Sequence, residues 1–425
     1  AFALPLLVGN LTQQVYNLTD SVIVGRFLGK EALAAVSASF FIYYFIISLA
    51  IGVGSGITVV VSQRFGARDH AAVRRAFSSF LLFAIVAGAV LSVVGVVGAD
   101  AFFRLTRTPP EVMPYALQYF RVYAAGTLFF ILFYSALSIL RGIGDSVRPM
   151  RFVLVTAVLN IAFDLLFILV FRWDIEGAAA ATVLAQVCGV ALVIRRIRRH
   201  DLLSLRRRDL VFDRPLFLQG VRIGIPTGVQ QCAIAIGLVA LLGIVNGFGA
   251  DTLTAYGAAG KIDSFIVQII LTLSGALSAF CGQNIGAGRF DRVHAGVRFA
   301  MLFNVCLCLV VLAAILTFGR QMMGAFTEDA DVMAIGQEYL TILGAVLVFH
   351  GALSILNGAM RGAGDTFFAM VTGIVSFWLI RIPLATLFSR AWGRVGIWWA
   401  IAASITLAFI ATLIYYRTGR WKRRL

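Results

Sequence analysis

The chain has 425 residues, 60% hydrophobic and only 13% charged, with 36 Lys and Arg against 20 Asp and Glu. Soluble domains run at about 45–50% apolar and about 25% charged, so this composition excludes a soluble fold and points to a polytopic membrane protein. The formal net charge of +16 raises a nucleic-acid partner, but the placement of the charges argues against one.

A bilayer core needs about 20 apolar residues per helix. Backbone groups in lipid must be bonded within their own segment, so each long apolar run reads as a helix. Twelve runs follow in chain order: 2–28, 32–62, 73–99, 115–140, 149–171, 177–195, 216–246, 252–281, 293–318, 335–360, 367–388 and 395–416. The fold class is an all-α polytopic membrane protein of twelve transmembrane helices. The chain opens inside its first span without Met, so a natural amino-terminal tail is expected before it, and no cleavable signal peptide is read. With the amino terminus in the cytoplasm, the even-numbered loops and the C-terminal tail hold 25 of the 36 Lys and Arg, and the odd-numbered loops hold 8. This is the positive-inside bias. Both termini are expected in the cytoplasm, with the spans in the cell's inner membrane. The basic excess sets topology and touches membrane lipid, and no nucleic acid is expected.

The chain repeats itself. "SQRFGAR" at 62–68 matches "GQNIGAG" at 282–288, and "LRGIGDSVRPM" at 140–150 matches "MRGAGDTFFAM" at 360–370. Both pairs are 220 residues apart, so Gln63 pairs with Gln283, Arg141 with Arg361, Gly144 with Gly364 and Asp145 with Asp365. Each repeat holds six helices, an even number that gives both copies one orientation. They are then parallel repeats, a known plan of secondary transporters. Residues 1–194 form an N-lobe and 216–425 a C-lobe around a central cavity. The basic segment 195–215 is a cytoplasmic linker, expected to be partly helical on the membrane surface. The R-G-x-G-D glycines suit a chain leaving a helix. Arg141 with Asp145, and Arg361 with Asp365, could pair there as a gate tether; a plain structural turn is the other reading.

Polar residues inside the spans break the symmetry. In span 1, Gln13, Tyr16 and Asp20 share a helix face, with Asn17 close by. In span 5, Asn160 and Asp164 are four residues apart and share a face. Thr182 follows in span 6. At the 220-residue displacement Asp20, Asn160, Asp164 and Thr182 fall on Ala240, Ile380, Leu384 and Ala402. The loops are kept and the polar groups are lost, as expected of a site that only the first lobe needs. Two carboxylates in one dry chamber cannot readily both be charged, so the pair is expected to hold a proton or a sodium ion. All four residue types offer oxygen, which suits a hard cation. An interhelical hydrogen-bond network is the bland alternative.

Other features leave alternatives open. Pro5 could kink span 1 beside Asp20, and Pro226 nearly matches it in span 7. In the second lobe Lys261 and Asp263 do not face one another on a helix. His350 could titrate near neutral pH or sit as a hydrogen-bonded core histidine, and Arg381 inside span 11 needs an acceptor that the sequence does not name. Cys188, Cys232, Cys281, Cys306 and Cys308 lie in apolar spans without metal-ligand spacing.

On the Q-x-x-G-A and R-G-x-G-D loops, Pro5, Asp20, and Asn160-x-x-x-Asp164 with Thr182, the chain resembles the multidrug and toxic-compound extrusion (MATE) transporters, and more narrowly their DinF-like branch. The resemblance covers all twelve spans. It implies a cation-coupled antiporter that expels small, amphiphilic, often cationic organic compounds, with no cofactor beyond a coupling H+ or Na+. It implies a cation site at Asp20, Asn160, Asp164 and Thr182, with Gln13, Tyr16, Asn17, Asp263 and His350 toward the substrate cavity. Other branches carry an acidic residue about where this chain has His350, which leaves a second-lobe cation site resting on Asp263. A monomer is expected. A lipid-linked precursor flippase of the same superfamily is the rival transporter reading; it calls for a more cationic cavity, and the buried acids argue against it. An enzyme is not expected: no H-E-x-x-H or G-x-S-x-G occurs, and "AYGAAGKI" lacks the first glycine and the Ser/Thr of a phosphate loop.

Overall fold

The computed structural model describes residues 2–106, 108–200, 202–204 and 209–424. Among them there is no strand. The first six spans are α1 (Ala3–Phe27), α2 (Lys30–Gly66), α3 (His70–Leu105), the pair α4 (Met113–Ala125) and α5 (Thr127–Gly142), α6 (Val147–Leu165), and α7 (Ile175–Arg198). The other six are α8 (Arg214–Asn246), α9 (Ala250–Gly286), α10 (Phe290–Gly324), α11 (Ala330–Gly362), the pair α12 (Phe367–Ile374) and α13 (Ile382–Trp392), and α14 (Arg394–Arg417). α4 and α5 form one span bent by 47°. Length and hydropathy mark every span but α1; there Asn10, Gln13, Gln14, Asn17 and Asp20 dilute the apolar content.

Two spans contain wide π-helical turns, Leu166–Val170 at the end of α6 and Val375–Arg381 between α12 and α13. Such turns often mark functional sites. Here one begins two residues after Asp164 and the other contains Arg381.

The outer faces are apolar, as lipid requires. On α3, Val86, Val90, Val93 and Val97 form an exposed stripe at helical spacing. Caps end the helices at the water-facing loops. The Asp69 carboxylate accepts the Ala72 N–H at 2.8 Å to open α3, and Asp329 accepts the N–H groups of Asp331 and Val332 to open α11.

The repeat is written into the backbone. Left-handed residues fall in pairs 220 apart: Gly29 with Gly249, Arg68 with Gly288, and Gly144 with Gly364. In the R-G-x-G-D turn the two glycines do different work. A Cβ on Gly142 would strike Val61 and the Thr58 carbonyl of α2, and one on Gly362 would strike the Ser278 carbonyl of α9. The second glycine takes φ of 90° in Gly144 and 88° in Gly364, where other residues are strained. Asp145 does not pair with Arg141. It caps α6, accepting from the Arg148 N–H and pairing with Arg148 Nη1 at 2.7 Å. Arg141 Nε has no partner among the described residues, while Asp365 accepts from the Tyr415 hydroxyl at 2.6 Å. The motif is foremost a turn.

The chain divides into two compact units, 1–225 and 226–425. In the first, α1 packs on α6, α6 on α7, α2 on α5, and α3 on α4 and α5; in the second, α11 packs on α9, α10 and α14, and α13 on α14. The boundary read from the sequence, residue 216, falls in the first turn of α8. The unit boundary comes later, at Pro226 inside α8, because the start of α8 packs on α2: Cβ atoms at Gly56 or Gly224 would strike the facing backbone at Gly220 or Gly52. Gln219 also donates to Gln63 at 3.3 Å. Of the basic linker, residues 201 and 205–208, on which the expected surface helix falls, lie outside the described residues.

Candidate functional site: an acid pair in the first unit

Three helices build the site. α6 packs against both α1 and α7. Asn160 and Asp164, one turn apart on α6, face the seam with α7 and are 2% and 0% exposed. Asn160 Nδ2 donates to Thr182 Oγ1 at 3.1 Å, and Thr182 donates onward to the Ala178 carbonyl at 3.3 Å. From α1, the Asp20 carboxyl reaches hydrogen-bonding distance of the Asp164 carboxyl. The structure thus brings Asp20, Asn160, Asp164 and Thr182 into one cluster.

What distinguishes the cluster is a surplus of acceptors. Asp20 Oδ1, Asn160 Oδ1 and both oxygens of Asp164 are buried, and among the described residues nothing donates to them. Buried polar groups are nearly always hydrogen-bonded, and each exception asks for an explanation. Two ionised carboxylates cannot bond to one another, since each only accepts. A proton between them, or a cation against them, satisfies the oxygens at once. Among the described residues no group of three or more His, Cys, Asp or Glu gathers as a transition-metal site would require. Two carboxylates with an amide and a hydroxyl oxygen instead suit a proton or a hard, weakly held cation.

The remaining candidates distribute as follows. Gln13 and Tyr16 share a side-chain hydrogen bond, and Tyr16 lies in electrostatic range of both acids. Asn17 is exposed on α1. Pro5 sits in the first turn of α1, where a missing N–H costs no intrahelical bond, and α1 continues to Phe27. Asp263 and His350 belong to the second unit, each within electrostatic range of Arg381. Lys261 is exposed, 5.9 Å from the Phe326 ring centroid.

Sequence reasoning missed the tyrosines of α4. Tyr119 lies in electrostatic range of both acids and stacks on Tyr123 at 5.6 Å, and Tyr123 meets Tyr43 edge-on at 4.3 Å. The signal was available: Tyr119 and Tyr123 are i and i+4 in "LQYFRVYAAG". Their phenols give the acid pair an aromatic wall with polar tips.

Comparison with known proteins agrees with this architecture. The family model described as MatE matches the chain twice, over residues 5–166 and 226–387. The chain is 31% identical to "Probable multidrug resistance protein YpnP" of Bacillus subtilis over 423 residues, 99% of this chain and 94% of that protein. It is 30% identical to "Probable multidrug resistance protein YoeA" of the same organism, covering 100% of this chain and 93% of the relative. Its fold matches a solved outward-facing multidrug resistance MATE family transporter of the MOP superfamily with a TM-score of 0.93, at 25% identity, over 100% of this chain and 95% of the other. With both halves matched and two repeats of six spans in place, the chain belongs to the MatE family of polytopic membrane transporters.

Proposed function

We propose that the chain is a cation-coupled multidrug antiporter, which takes up a proton or a sodium ion and expels amphiphilic organic compounds by alternating access. It works as a monomer in the cell's inner membrane, both termini in the cytoplasm. The multidrug part of the reading is supported by the names of the relatives; these also favour drug export over the lipid-linked precursor flippase. The coupling part rests on one observation: four buried acceptor atoms on Asp20, Asn160 and Asp164 that no group among the described residues satisfies.

The guest is a proton first. The two carboxyl groups face each other at hydrogen-bonding distance, and a single proton joins them. Sodium is the second reading, favoured by the orphan Asn160 Oδ1 and the Thr182 hydroxyl beside the pair. Either guest changes how α1 sits on α6, because Asp20 is the acid α1 brings to that seam. Coupling follows if the emptied and filled arrangements bind the organic substrate unequally. Gln13 and Tyr16, two turns and one turn before Asp20 on α1, carry that change toward the substrate.

The test is efflux from proteoliposomes with proton and sodium gradients imposed separately. A gradient of the coupling ion must drive export of a cationic dye, and Asp164→Asn must abolish it. Equal efflux without either gradient sinks the proposal.

A further inference from the structure

The second unit holds the inverse of the first unit's site: donors that lack acceptors. Arg381 lies near the middle of the span Phe367–Trp392 and is the last residue of the π-helical turn. Its Nε donates to the buried Ser404 Oγ on α14 at 2.9 Å, and its guanidinium lies 4.3 Å from the Phe377 ring centroid. Ser404 is held in turn: its hydroxyl donates to the Ile401 carbonyl at 2.8 Å, and its own carbonyl accepts from Ser376 at 2.8 Å. The guanidinium is therefore fixed at one edge and on one face. No hydrogen bond engages its two Nη groups among the described residues, and the residue is not fully buried.

An intramembrane charge without a partner is costly and points to function. Asp263 is the one acid in electrostatic range, and it forms no ion pair with Arg381 among the described residues. Tyr256 and Tyr339 also feel this charge. They pack with Trp398 as an aromatic trio, Tyr256 stacked on the indole at 5.7 Å and Tyr339 edge-on at 4.9 Å. The Trp398 indole N–H is itself buried without an acceptor among the described residues.

The repeat gives the position meaning. The two family-matched stretches are displaced by 221 residues at both ends, one more than the loop motifs, and Arg381 lies 221 residues after Asn160. Each bonds a hydroxyl on the following span, Thr182 for Asn160 and Ser404 for Arg381. Where the first unit offers oxygens to a mobile cation, the second carries a fixed one.

We propose that Arg381, positioned by Ser404 and Phe377, is the residue that recognises a carboxylate on the transported compound and so sets the preference for carboxylate-bearing over purely cationic compounds. The planar fork matches a carboxylate with two parallel hydrogen bonds, which an ammonium cannot do. Trp398, Tyr339 and Phe377 are buried, so they support the guanidinium from behind and hold its direction. Asp263 balances the charge of the empty site. This assignment names a substrate class for the transporter proposed above and rests on that reading.

The test uses two dyes that differ only at the carboxylate: tetramethylrhodamine, a zwitterion, and its methyl ester, a cation. Fluorescence polarisation with the purified full chain in lipid nanodiscs gives both affinities, and their ratio is the readout. Arg381→Gln is expected to lower the carboxylate-to-ester affinity ratio at least tenfold. Arg381→Lys, which keeps charge without the fork, recovers only part of it, and Ser404→Ala lowers the ratio about threefold. Ester binding by each variant reports that it is folded. An unchanged ratio in Arg381→Gln, or no binding of tetramethylrhodamine by the wild type, overturns the assignment. Gradient-driven efflux of the ester by wild type, set against Asp164→Asn, tests the transport reading separately. Coupled efflux with no carboxylate preference leaves transport standing and removes the Arg381 site; a carboxylate preference without coupled efflux does the reverse.

Discussion

Replacing Asp164 by Asn puts the acid-pair argument at greatest risk. The side chain keeps its size and stays fully buried, but it gains an N–H2 donor and loses its charge. In the wild type the Asp20 carboxyl is within reach, with its buried Oδ1 lacking any donor. The new amide can donate to it, mimicking the proton-filled state. An unsatisfied buried acceptor costs about 1–3 kcal/mol, so the variant should be more stable than the ion-free wild type by about that amount. For a unit of this size that raises the melting temperature by roughly 2–4 °C per kcal/mol. Transport should change in the opposite sense. One pH unit across the membrane is worth about 1.36 kcal/mol per proton, a factor of about ten in accumulation. An imposed gradient of two units thus supports up to about 100-fold accumulation for one proton exchanged, and the variant should show none. Dye efflux from proteoliposomes and thermal melting of purified protein measure the two effects. Retained coupled efflux, or a fall in melting temperature, would refute the pairing of Asp20 with Asp164.

Other expectations follow from the same geometry. Thr182→Val removes the acceptor bonded to the buried Asn160 amide and should destabilise by about 1–3 kcal/mol, whereas Thr182→Ser should keep both stability and coupling; differential scanning fluorimetry separates them. Gly144→Ala and Gly364→Ala each force a left-handed residue, at φ of 90° and 88°, and should lower stability by matched amounts of about 1–2 kcal/mol; a silent change at one site would show that the two turns are not equivalent. A side chain at Gly220 would strike the buried Phe80 ring, so Gly220→Val should push the start of α8 off its neighbours. Overpacking of this kind costs about 1–3 kcal/mol, and faster proteolysis of the linker would report it.

Much of the fold was legible because lipid leaves few choices. Every long apolar run had to be a helix, and the 220-residue echo of the loops returned as paired left-handed residues at the same spacing. The acid cluster was legible for a related reason: an i, i+4 pair of polar residues in an apolar run has one shared face and must point at something. What stayed hidden were features set by packing. Asp145 turned to Arg148, and not to Arg141, because capping α6 brings Arg148 within three residues on the same turn. The tyrosine wall was overlooked because phenols in apolar spans look like ordinary core until their neighbours are known. The unit boundary moved to Pro226 because glycines on α2 and α8 let two backbones approach, which composition does not reveal.

The displacement between the repeats differs by one residue according to where it is read. Read at 220, the spacing of the loops, Asn160 falls on an isoleucine and the second lobe looks merely depleted. Read at 221, the spacing of the matched stretches, it falls on Arg381. The second unit's π-helical turn follows the R-G-x-G-D turn and ends on Arg381, and a wide turn accommodates an extra residue. In the first unit the wide turn comes after Asp164. The same seam thus presents oxygens in one copy and a guanidinium in the other, each tied to a hydroxyl across it. Orphan acceptors and orphan donors are both expensive in a membrane interior. On the proposals made above, a guest of opposite character relieves each of them, a cation in the first unit and a carboxylate in the second.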